Sequence, residues 1–436
     1  MATKEHHRGV QMDPEGLATD GSTGISGLLP EGFKMTEHGP LPEEWRVVRL
    51  GDVATVRYGK ARPKEMGVIP VVGSGGVYAW TKRALVDFPT LVIGRKGTAG
   101  TVWLQDQPCW PSDTTFYLEW KTDGLDHRFV YHFLQEQPLS GEHAKTTLPS
   151  LQRPDLENYL LPLPPLPEQR AIAYVLRTVQ RAKEATERVI AALKELKKSL
   201  MKHLFTYGPV PLDQADQVPL KETEIGPVPE HWEVMGLGGV TEKPQYGYTA
   251  SATKKPIGPK FLRITDIQDD RVDWPAVPFC AIESHLLEKY RLQKGDILFA
   301  RIGATTGKTY LVGECPQAVF ASYLIRVRTD ARKLLPEYLY FFAHTPQYWQ
   351  QINAAKGGRL KQGINIPILT SLRVPLSPID EQREIARILQ TVDRKIEAEE
   401  NRKQALEALF KTLLHHLMTG KVRVKDLAND WIKGGS

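Results

Sequence analysis

A long helical segment that occurs twice places the strongest constraint on how this chain can fold. Pro162–Thr206 and Pro375–Thr419 align without a gap at a constant shift of 213 residues, and about half of the aligned positions are identical. Both copies open with prolines and then carry a Glu-Gln-Arg triplet, at Glu168–Arg170 and at Glu381–Arg383. An internal repeat of this length indicates a duplicated architecture, so the remainder of the chain is interpreted as two versions of one unit.

Apolar residues in both copies follow the spacing of a coiled coil. They lie three or four residues apart in the first copy (Ile172, Leu176, Val179) and in the second (Ile385, Leu389, Val392). About 39 helical residues make a rod of roughly 58 Å. We expect the two rods to pair antiparallel, because pairing covers both apolar seams; the alternative is that each helix packs only on its own module. The seam weakens at Thr186 and at Glu399–Arg402, which leaves open whether this polar middle sets the register, acts as a hinge or is solvated.

Each helical copy follows a globular module, and the two modules start alike. Gly39–Val53 is similar to Gly226–Val240 at a shift of 187 residues, smaller than the shift at the helices, so the second module carries insertions. Short apolar runs broken by Gly and Pro, such as Leu91–Gly94, predict strands with tight turns. The predicted fold class is therefore α+β (mixed α/β): two globular domains and two long helices that pair as an antiparallel coiled coil, in a pseudo-two-fold tandem repeat.

These patterns divide the chain into seven segments. They are a flexible N-terminal extension (1–37), a first module (38–160), a first long helix (161–207), a linker (208–224), a second module (225–373), a second long helix (374–420) and a C-terminal tail (421–436). The linker is assigned from its Pro, Asp and Gln content. Short helices are predicted at Phe129–Gln135 and Glu337–Ala343, each shortly before a long helix.

Cysteine content indicates the compartment in which we expect the protein, whereas net charge does not identify its partner. The chain has 436 residues and a formal net charge of +6, which is compatible with a polyanionic partner but does not require one. Cys109, Cys280 and Cys315 are far apart and fit neither a disulfide framework nor a metal site, so we expect free thiols in a reducing cytoplasm. The sequence contains no run of about 18 apolar residues, and its polar N-terminus lacks the apolar core of a secretory signal.

A glycine-rich turn is the one segment that resembles a catalytic motif. Gly303–Thr309 reads G-A-T-T-G-K-T, whereas a phosphate-binding P-loop needs about four residues between its glycines instead of these three. The hydrolase elbow G-x-S-x-G and the metal motifs H-E-x-x-H and C-x-x-C do not occur in the sequence. We therefore predict a tight turn after a strand at Asp296–Ala300, and a chain with no catalytic, metal or cofactor site of its own.

Basic, hydroxyl-bearing and aromatic residues recur on the predicted loops of both modules. Arg, Lys, Gln and Thr side chains hold phosphates and read base edges. A single residue of this kind is more often plain surface, but recurrence at equivalent places favours a nucleic-acid interface. The candidates in the first module are Arg57, Tyr58, Lys60, Arg62, Arg95, Lys96, Lys145, Thr146 and Arg153. Those in the second module are Tyr248, Lys254, Lys255, Arg263, Arg301, Thr305, Lys308, Arg359, Lys361 and Gln362.

Taken together, these features make the chain resemble the specificity subunit of type I restriction-modification systems. The resemblance rests first on the paired lead-ins to the helices, Pro162–Arg170 and Pro375–Arg383. It rests also on the module starts at Trp45 and Trp232, and on Gly295–Lys308, which is similar to the family's strand-and-glycine-turn segment. It covers about residues 38–420, nearly the whole chain.

The resemblance implies a DNA-recognition subunit that catalyses nothing itself. Each module would be a target-recognition domain that reads one half of a bipartite double-stranded DNA target, and the coiled coil would set the spacing between the halves. Two methyltransferase subunits would dock on the chain and bring S-adenosylmethionine, and motor-nuclease subunits would bind ATP and Mg. The predicted spacer and partner-binding residues are Glu168, Gln169, Arg170, Glu381, Gln382 and Arg383.

Two alternative functions remain open at the level of sequence. The chain could specify the target of a methylation-only or type IIB-like system, which no feature of one chain distinguishes from a restriction system. A function of a different class is a coiled-coil adaptor with no DNA role. DNA binding retained at about 200 mM salt would count against the adaptor, because non-specific charge binding weakens steeply with salt.

Overall fold

The computed structural model describes residues 29–135, 137–139, 150–356 and 363–424 of the chain. It divides into two compact units, one made of Met1–Ala182 with Leu406–Ser436 and the other of Lys183–Ala405. Both long helices therefore begin in one unit and end in the other. We call these the first and second unit and describe each by itself.

Among the described residues, the first unit contains eleven strands and the start of a helix of 42 residues. The strands are β1 (Phe33–Thr36), β2 (Gly39–Pro42), β3 (Arg46–Arg49), β4 (Ala54–Tyr58), β5 (Ile69–Gly73), β6 (Gly76–Thr81), β7 (Thr90–Gly94), β8 (Val102–Gln105), β9 (Trp110–Pro111), β10 (Thr115–Trp120) and β11 (Leu160–Leu163). The helices are α1 (Leu50–Val53), α2 (His127–Gln135), α3 (Arg153–Glu157) and α4 (Leu166–Tyr207).

The first unit is built on an antiparallel sheet of order β4-β10-β7-β8. A second sheet of order β6-β5-β9 joins β5 to β9 in parallel. Strand β11 pairs with β3 and leads into α4, so the module's entry strand is tied to the start of the long helix. Pro164, Pro165 and Pro167 surround the first turn of α4, where a missing N–H costs no intrahelical bond.

The second unit repeats this plan with insertions. Its strands are β12 (Leu220–Lys221), β13 (Val228–Pro229), β14 (Glu233–Gly236), β15 (Gln245–Tyr246), β16 (Lys260–Leu262), β17 (Ile267–Gln268), β18 (Arg271–Val272), β19 (Ile297–Ala300), β20 (Thr309–Leu311), β21 (Ala318–Phe320), β22 (Leu324–Val327) and β23 (Arg373–Leu376). Its helices are α5 (Ser284–Tyr290), α6 (Pro336–Phe342), α7 (Pro346–Lys356), α8 (Ile366–Ser371) and α9 (Ile379–Met418).

The central sheet of the second unit has the order β15-β22-β19-β20, equivalent strand by strand to that of the first unit. Strand β14 pairs with β23 as β3 pairs with β11, so the lead-in to α9 is fixed in the same way as the lead-in to α4. The parallel pair β16–β21 corresponds to the parallel pair β5–β9 of the first unit, whereas the hairpin β17–β18 belongs to the inserted part. The predicted tandem α+β fold is confirmed.

The long helices pair antiparallel, as the apolar spacing predicts. In the second unit, Lys197 contacts Asp393 at 2.6 Å, Lys194 contacts Glu400 at 3.0 Å and Glu187 contacts Lys403 at 3.0 Å. Positions on α4 fall as their partners on α9 rise, which defines the antiparallel direction. Ion pairs fill much of the polar middle of the seam, and Thr186 is buried there, so this stretch is not a solvated gap at that residue.

Each unit buries the end of one long helix in a core with the start of the other. In the first unit, Ile172 and Leu176 of α4 share a core with Leu414 and Leu417 of α9 and with Trp45. In the second unit, Leu204 and Phe205 of α4 share a core with Ile385 and Leu389 of α9 and with Trp232. The helices are therefore part of both hydrophobic cores and do not merely connect them.

Several segment boundaries differ from those that composition suggests. Sequence patterning places residues 29–37 in the N-terminal extension, whereas Phe33–Thr36 forms β1 and pairs with β2. The predicted linker includes a 3-10 helix at Leu212–Gln217 and the strand β12. Both segments have few apolar residues, so their pairing depends on neighbouring strands that local composition does not reveal. The predicted short helices agree with α2 and α6 to within a few residues.

His132 of α2 is a buried imidazole that makes folding depend on pH. It is 5% exposed, packs edge-on against Phe410 at 5.9 Å, and its Nδ1 has no hydrogen-bond partner among the described residues. Burial lowers the pKa of His132 from 6.5 to about 4. The unfolded chain therefore binds a proton between pH 6.5 and 4 that the folded chain does not, so stability falls as the pH falls through this window.

We expect the free energy of unfolding of the first unit to drop by about 2 kcal/mol between pH 7 and pH 5 because of this group. His132→Leu should remove that part of the pH dependence, as measured by urea unfolding at both pH values. His285→Gln, at an exposed histidine of the second unit, is the matched control and should leave it unchanged. An equal drop in the His132→Leu variant would show that other groups are responsible.

Candidate nucleic-acid interface

An arginine follows the central strand of each main sheet at the same place. Arg95 comes directly after β7, and its backbone N–H donates to the Thr114 carbonyl at 2.8 Å. Arg301 comes directly after β19, and its backbone N–H donates to the Tyr323 carbonyl at 3.0 Å. The residues that directly precede β10 and β22 therefore fix both arginine backbones in equivalent positions.

Both arginine side chains lie over a tyrosine ring supplied by the edge strand. The Arg95 guanidinium carbon is 5.3 Å from the ring centre of Tyr58, and that of Arg301 is 4.7 Å from the ring centre of Tyr246. One terminal nitrogen of each guanidinium donates to a backbone carbonyl, at 2.9 Å for Arg95 and at 3.4 Å for Arg301. The ring and the carbonyl hold a planar fork in one orientation, the geometry that suits a phosphate or a guanine edge.

A glycine after each tyrosine allows this arrangement. A Cβ atom at Gly59 would lie 2.0 Å from the Ser112 carbonyl oxygen, and one at Gly247 would lie 2.2 Å from that of Ala321. No side chain fits at such distances. Only glycine therefore permits the chain after β4 to approach the end of β9, and the chain after β15 to approach the end of β21. The dipeptide Tyr-Gly therefore occurs in both modules, a signal that sequence reasoning missed because the intervening shift is not constant.

The chain returns to each arginine from a distant segment. The Arg95 carbonyl accepts from the Leu151 N–H at 2.9 Å, and the Arg301 carbonyl accepts from the Ile364 N–H at 2.8 Å. Five predicted residues precede these return points: Lys145, Thr146, Arg359, Lys361 and Gln362 lie outside the described residues. The return points bring the flanks of both segments to the arginine sites.

The other predicted residues of the first module divide into two groups. Lys60 and Lys96 lie next to the arginine site, because the Lys60 N–H donates to Pro111 and the Lys96 N–H to Thr114. Arg62 is also exposed. Arg57 instead contacts Glu119 at 2.9 Å and Arg153 contacts Glu157 at 2.7 Å. Alternation along β4 places Arg57 on the opposite face from Tyr58, so it is not part of this cluster.

The second module places its predicted residues more widely. Arg263 is held by both oxygens of Asp266, at 2.7 and 3.0 Å, and so caps its own turn. Lys254 and Lys255 are exposed on an inserted loop. Tyr248 packs on Tyr290 with ring centres 5.3 Å apart. Its ring is therefore packed against the small core that contains Phe261 and Val319.

Thr305 and Lys308 line a cavity of about 210 Å³ beneath the glycine turn. The turn itself is confirmed: it follows β19, and Gly303 and Gly307 have φ values of +79° and +92°. Asp270 at the cavity wall contacts His344 at 3.3 Å. Burial opposes ionisation of Asp270, but the hydrogen bond from His344 and the charge of Lys308 lower the pKa of its carboxyl.

The Glu and Gln residues of the two triplets make hydrogen bonds to their own modules. Their glutamates accept the indole N–H of the module's tryptophan, Trp45 to Glu168 at 3.1 Å and Trp232 to Glu381 at 2.7 Å. Their glutamines bond three module groups each: Gln169 with the Asp126 N–H and the Gly124 and Pro164 carbonyls, and Gln382 with the Leu335 N–H and the Lys333 and Ser377 carbonyls. Only Arg170 and Arg383 are exposed.

This arrangement gives the triplets a structural task that sequence reasoning did not assign. Glu168 also accepts two bonds from Arg423, at 2.7 and 2.9 Å, and Glu381 accepts one from His231 at 2.8 Å. Arg170 and Arg383 take no part in these contacts, and Arg383 instead contacts Asp380. The signal available in the sequence was the joint recurrence of a tryptophan and a triplet in both copies.

No metal centre stands beside these sites in the part of the chain that the structure covers. Its His, Cys, Asp and Glu residues form no group of three that could hold a metal ion. None of its helices is long and apolar enough to span a membrane. The fold and the two arginine sites together define a tandem recognition protein: two similar mixed α/β modules built on a pair of long helices.

Comparison with known proteins places this architecture in a family. The model described as type I restriction modification DNA specificity domain matches residues 42–195 and 229–408. The specificity subunit of the type I restriction enzyme MjaVIII from Methanocaldococcus jannaschii is 27% identical over 422 residues, covering 91% of this chain and 97% of that protein. The EcoBI specificity subunit from Escherichia coli is 28% identical over 315 residues, covering 68% of this chain and 65% of that protein.

Solved structures agree on the fold. The crystal structure of the type I restriction-modification S subunit from M. genitalium has a TM-score of 0.59 at 16% identity, covering 86% of this chain and 96% of that one. Because the family model covers well over half of the residues, this chain belongs to the type I restriction-modification DNA specificity family. Its role is non-catalytic DNA recognition.

The tight approach at the Tyr-Gly dipeptide yields a stability prediction. Gly247→Ala should destabilise the second unit by about 1–3 kcal/mol, because the added methyl group would collide with the Phe320 and Ala321 carbonyls at the end of β21. Gly313→Ala is the matched control: no atom lies within 4 Å of its Cβ position. Thermal unfolding monitored by circular dichroism would compare the two variants, and equal melting temperatures would contradict the close approach.

Proposed function

We propose that this chain reads a bipartite DNA target, one half with each module, through the two stacked arginines. The single observation that carries the proposal is the equivalence of Arg95 over Tyr58 and Arg301 over Tyr246 at the same position of two related sheets. Their surroundings differ: Lys60 and Lys96 flank the first site, whereas Tyr248 and Ile302 take those places in the second. Two equivalent arginines with different flanking residues are suited to two half-sites of different sequence.

We propose further that the long helices set the distance between the half-sites. A helix of 42 residues such as α4 is about 63 Å long, which exceeds one turn of B-DNA at roughly 34–36 Å. The ion pairs along the seam support this role, since they fix the register of α4 against α9. A spacer of fixed register gives a fixed separation.

The proposed partners supply the chemistry that the chain lacks. Two methyltransferase subunits would dock on the helices and modules and bring S-adenosylmethionine, and motor-nuclease subunits would bring ATP and Mg. Exposed Arg170 and Arg383, at equivalent places in both copies, are the proposed contacts for a partner present twice. The complex would work on the cell's DNA in the cytoplasm.

The most direct test is methylome sequencing of the host with and without this gene. Loss of methylation at one split sequence would support the proposal and give both half-sites. The chain assembled with its methyltransferase subunits should also bind a duplex carrying that sequence at about 200 mM salt, where a non-DNA adaptor would not. An unchanged methylome in a strain that expresses both genes would contradict the function.

Each arginine should control one half-site. Arg95→Ala and Arg301→Ala should each weaken binding about 10- to 100-fold, relax selectivity at one half-site only, and reduce the salt dependence by about one charge. Lys308→Ala should weaken binding less selectively if its ammonium contacts phosphate. Fluorescence anisotropy with duplexes scrambled in one half at a time measures both effects.

The control variant is Arg332→Ala, because the Arg332 side chain is 90% exposed and contacts Asp330 two residues before it. It should bind like the unmodified chain. Size-exclusion chromatography should show all four variants still assembled with the methyltransferase. Unchanged affinity in Arg95→Ala and Arg301→Ala would remove the stacked arginines from the interface.

The spacer length should follow the helices. Inserting about seven residues, one heptad, at matched positions in α4 and α9 lengthens the rod by roughly 10 Å, or about three base pairs. Methylome sequencing of a strain carrying this variant should find the same half-sites with a longer spacer. Methylation that persists at the original spacing would show that the helices do not set the distance.

A further inference from the structure

The hairpin β5–β6 of the first unit carries an exposed apolar face that the proposed arginine site does not explain. Tyr78 and Trp80 are 56% and 52% exposed, and Met66, Val68 and Val77 beside them are 76%, 86% and 49% exposed. Large side chains of this kind are normally buried, and a contiguous exposed group of them marks a binding surface. In the described part of the second unit, no stretch of comparable length exposes so many.

A β-bulge aims these side chains outward. Val71 pairs with Ala79 and Val72 pairs with Val77, so Tyr78 is the extra residue of β6 and has no partner opposite it. Its ring lies along Gly73, where an added Cβ would come within 3.1 Å of it. Trp80 stands opposite Pro70 on the outer face of the same sheet. Bulges of this kind re-aim side chains beside functional sites.

Hydrogen bonds join the hairpin directly to the basic turn at Arg95. The Ser74 carbonyl in the hairpin turn accepts from the Thr101 hydroxyl at 2.6 Å and from the Trp103 indole at 3.2 Å. The Val72 carbonyl accepts from the Ser112 N–H at 2.9 Å, beside Lys60. The hairpin, the Arg95 turn and the Lys60 loop therefore form one continuous surface.

The charges around this face favour a polyanion over a protein. Residues 59–83 contain Lys60, Arg62, Lys64, Lys82 and Arg83 but a single acidic residue, Glu65, which contacts Arg83 at 3.4 Å. Phosphates bind such a rim, while tryptophan and tyrosine rings contact thymine methyl groups, sugars and opened base steps. A partner bound alike by both copies would require the same face on the second unit, which does not carry it among its described residues.

We propose that the outer face of β5–β6, with Tyr78 and Trp80 at its centre, is a second DNA-contacting element of the first module that makes apolar contacts to its half-site. This inference rests on the proposed function. It assigns the hairpin to one half-site only, so it also accounts for part of the difference between the two modules. The basic rim positions the duplex, and the rings discriminate among sequences through contacts that salt does not screen.

The test uses the full chain assembled with its methyltransferase subunits and the duplex found by methylome sequencing. Tyr78→Ala and Trp80→Ala should each weaken binding about tenfold or more, the range found for aromatic contacts to bases. The slope of affinity against salt concentration should stay unchanged, because no phosphate contact is lost. Selectivity should fall for duplexes scrambled in the half-site read by Arg95 and remain for those scrambled in the other half.

Two further variants guard against trivial explanations. Trp80→Phe keeps a ring and should restore most of the affinity even if Trp80→Ala folds poorly. Leu212→Ala, at a 74% exposed side chain in the second unit, should have no effect. Melting temperatures close to that of the unmodified complex would exclude unfolding as the cause.

Three results would overturn the inference. They are unchanged affinity in Tyr78→Ala and Trp80→Ala, an equal loss at both half-sites, and loss of methyltransferase assembly, which would assign the face to a protein partner. Arg95→Ala, measured in the same experiment, separates this failure from failure of the proposed function. If Arg95→Ala weakens binding and the ring variants do not, only the hairpin assignment is wrong.

Discussion

The hydrogen bond between a module's tryptophan and the first glutamate of a long helix is the contact on which both units depend. Trp45 and Trp232 are fully buried, and a buried indole N–H left without a partner would cost about 1–3 kcal/mol. The same rings receive the far ends of the helices. Gly420 lies beside Trp45 and Gly208 beside Trp232, both with positive φ, where a side chain would be strained. Each module thus fixes the start of one helix and the end of the other.

Each module holds the start of one long helix and the end of the other, and this arrangement explains what the duplication contributes to the fold. A single module with one long helix would expose an apolar seam and leave its tryptophan uncovered by a helix end. Two copies of the module and helix cover both the apolar seams and the tryptophans. The charges around the two glutamates have nevertheless diverged: Arg423 with Glu44 completes the first site, whereas His231 contributes to the second. The shared framework tolerates such changes because the indole hydrogen bond and the glycine are kept.

The sequence predicted the parts of the structure that depend on repetition and periodicity. The constant shift between Pro162–Thr206 and Pro375–Thr419 was sufficient for the helix pair, because apolar spacing alone determines which face is buried. It could not predict which basic residues face outward. Arg263 and Arg153 looked equivalent to Arg95 by composition, but nearby carboxylates hold them. Strand pairing determines which basic residues face outward, and it joins residues such as Arg95 and Leu151 that are far apart in sequence.

Under the proposed function, the equivalence of the two arginine sites limits where target specificity can reside. Arg95 and Arg301 follow the same strand, lie on the same ring and bond the same kind of carbonyl, so by themselves they would favour the same contact in both half-sites. Two different half-sites therefore require discrimination by residues that differ around them. The outer face of the β5–β6 hairpin is such a place. Its exposed side chains take no part in the Trp–Glu contacts or in the pairing of the long helices, so they can change the preferred DNA while both stay as they are.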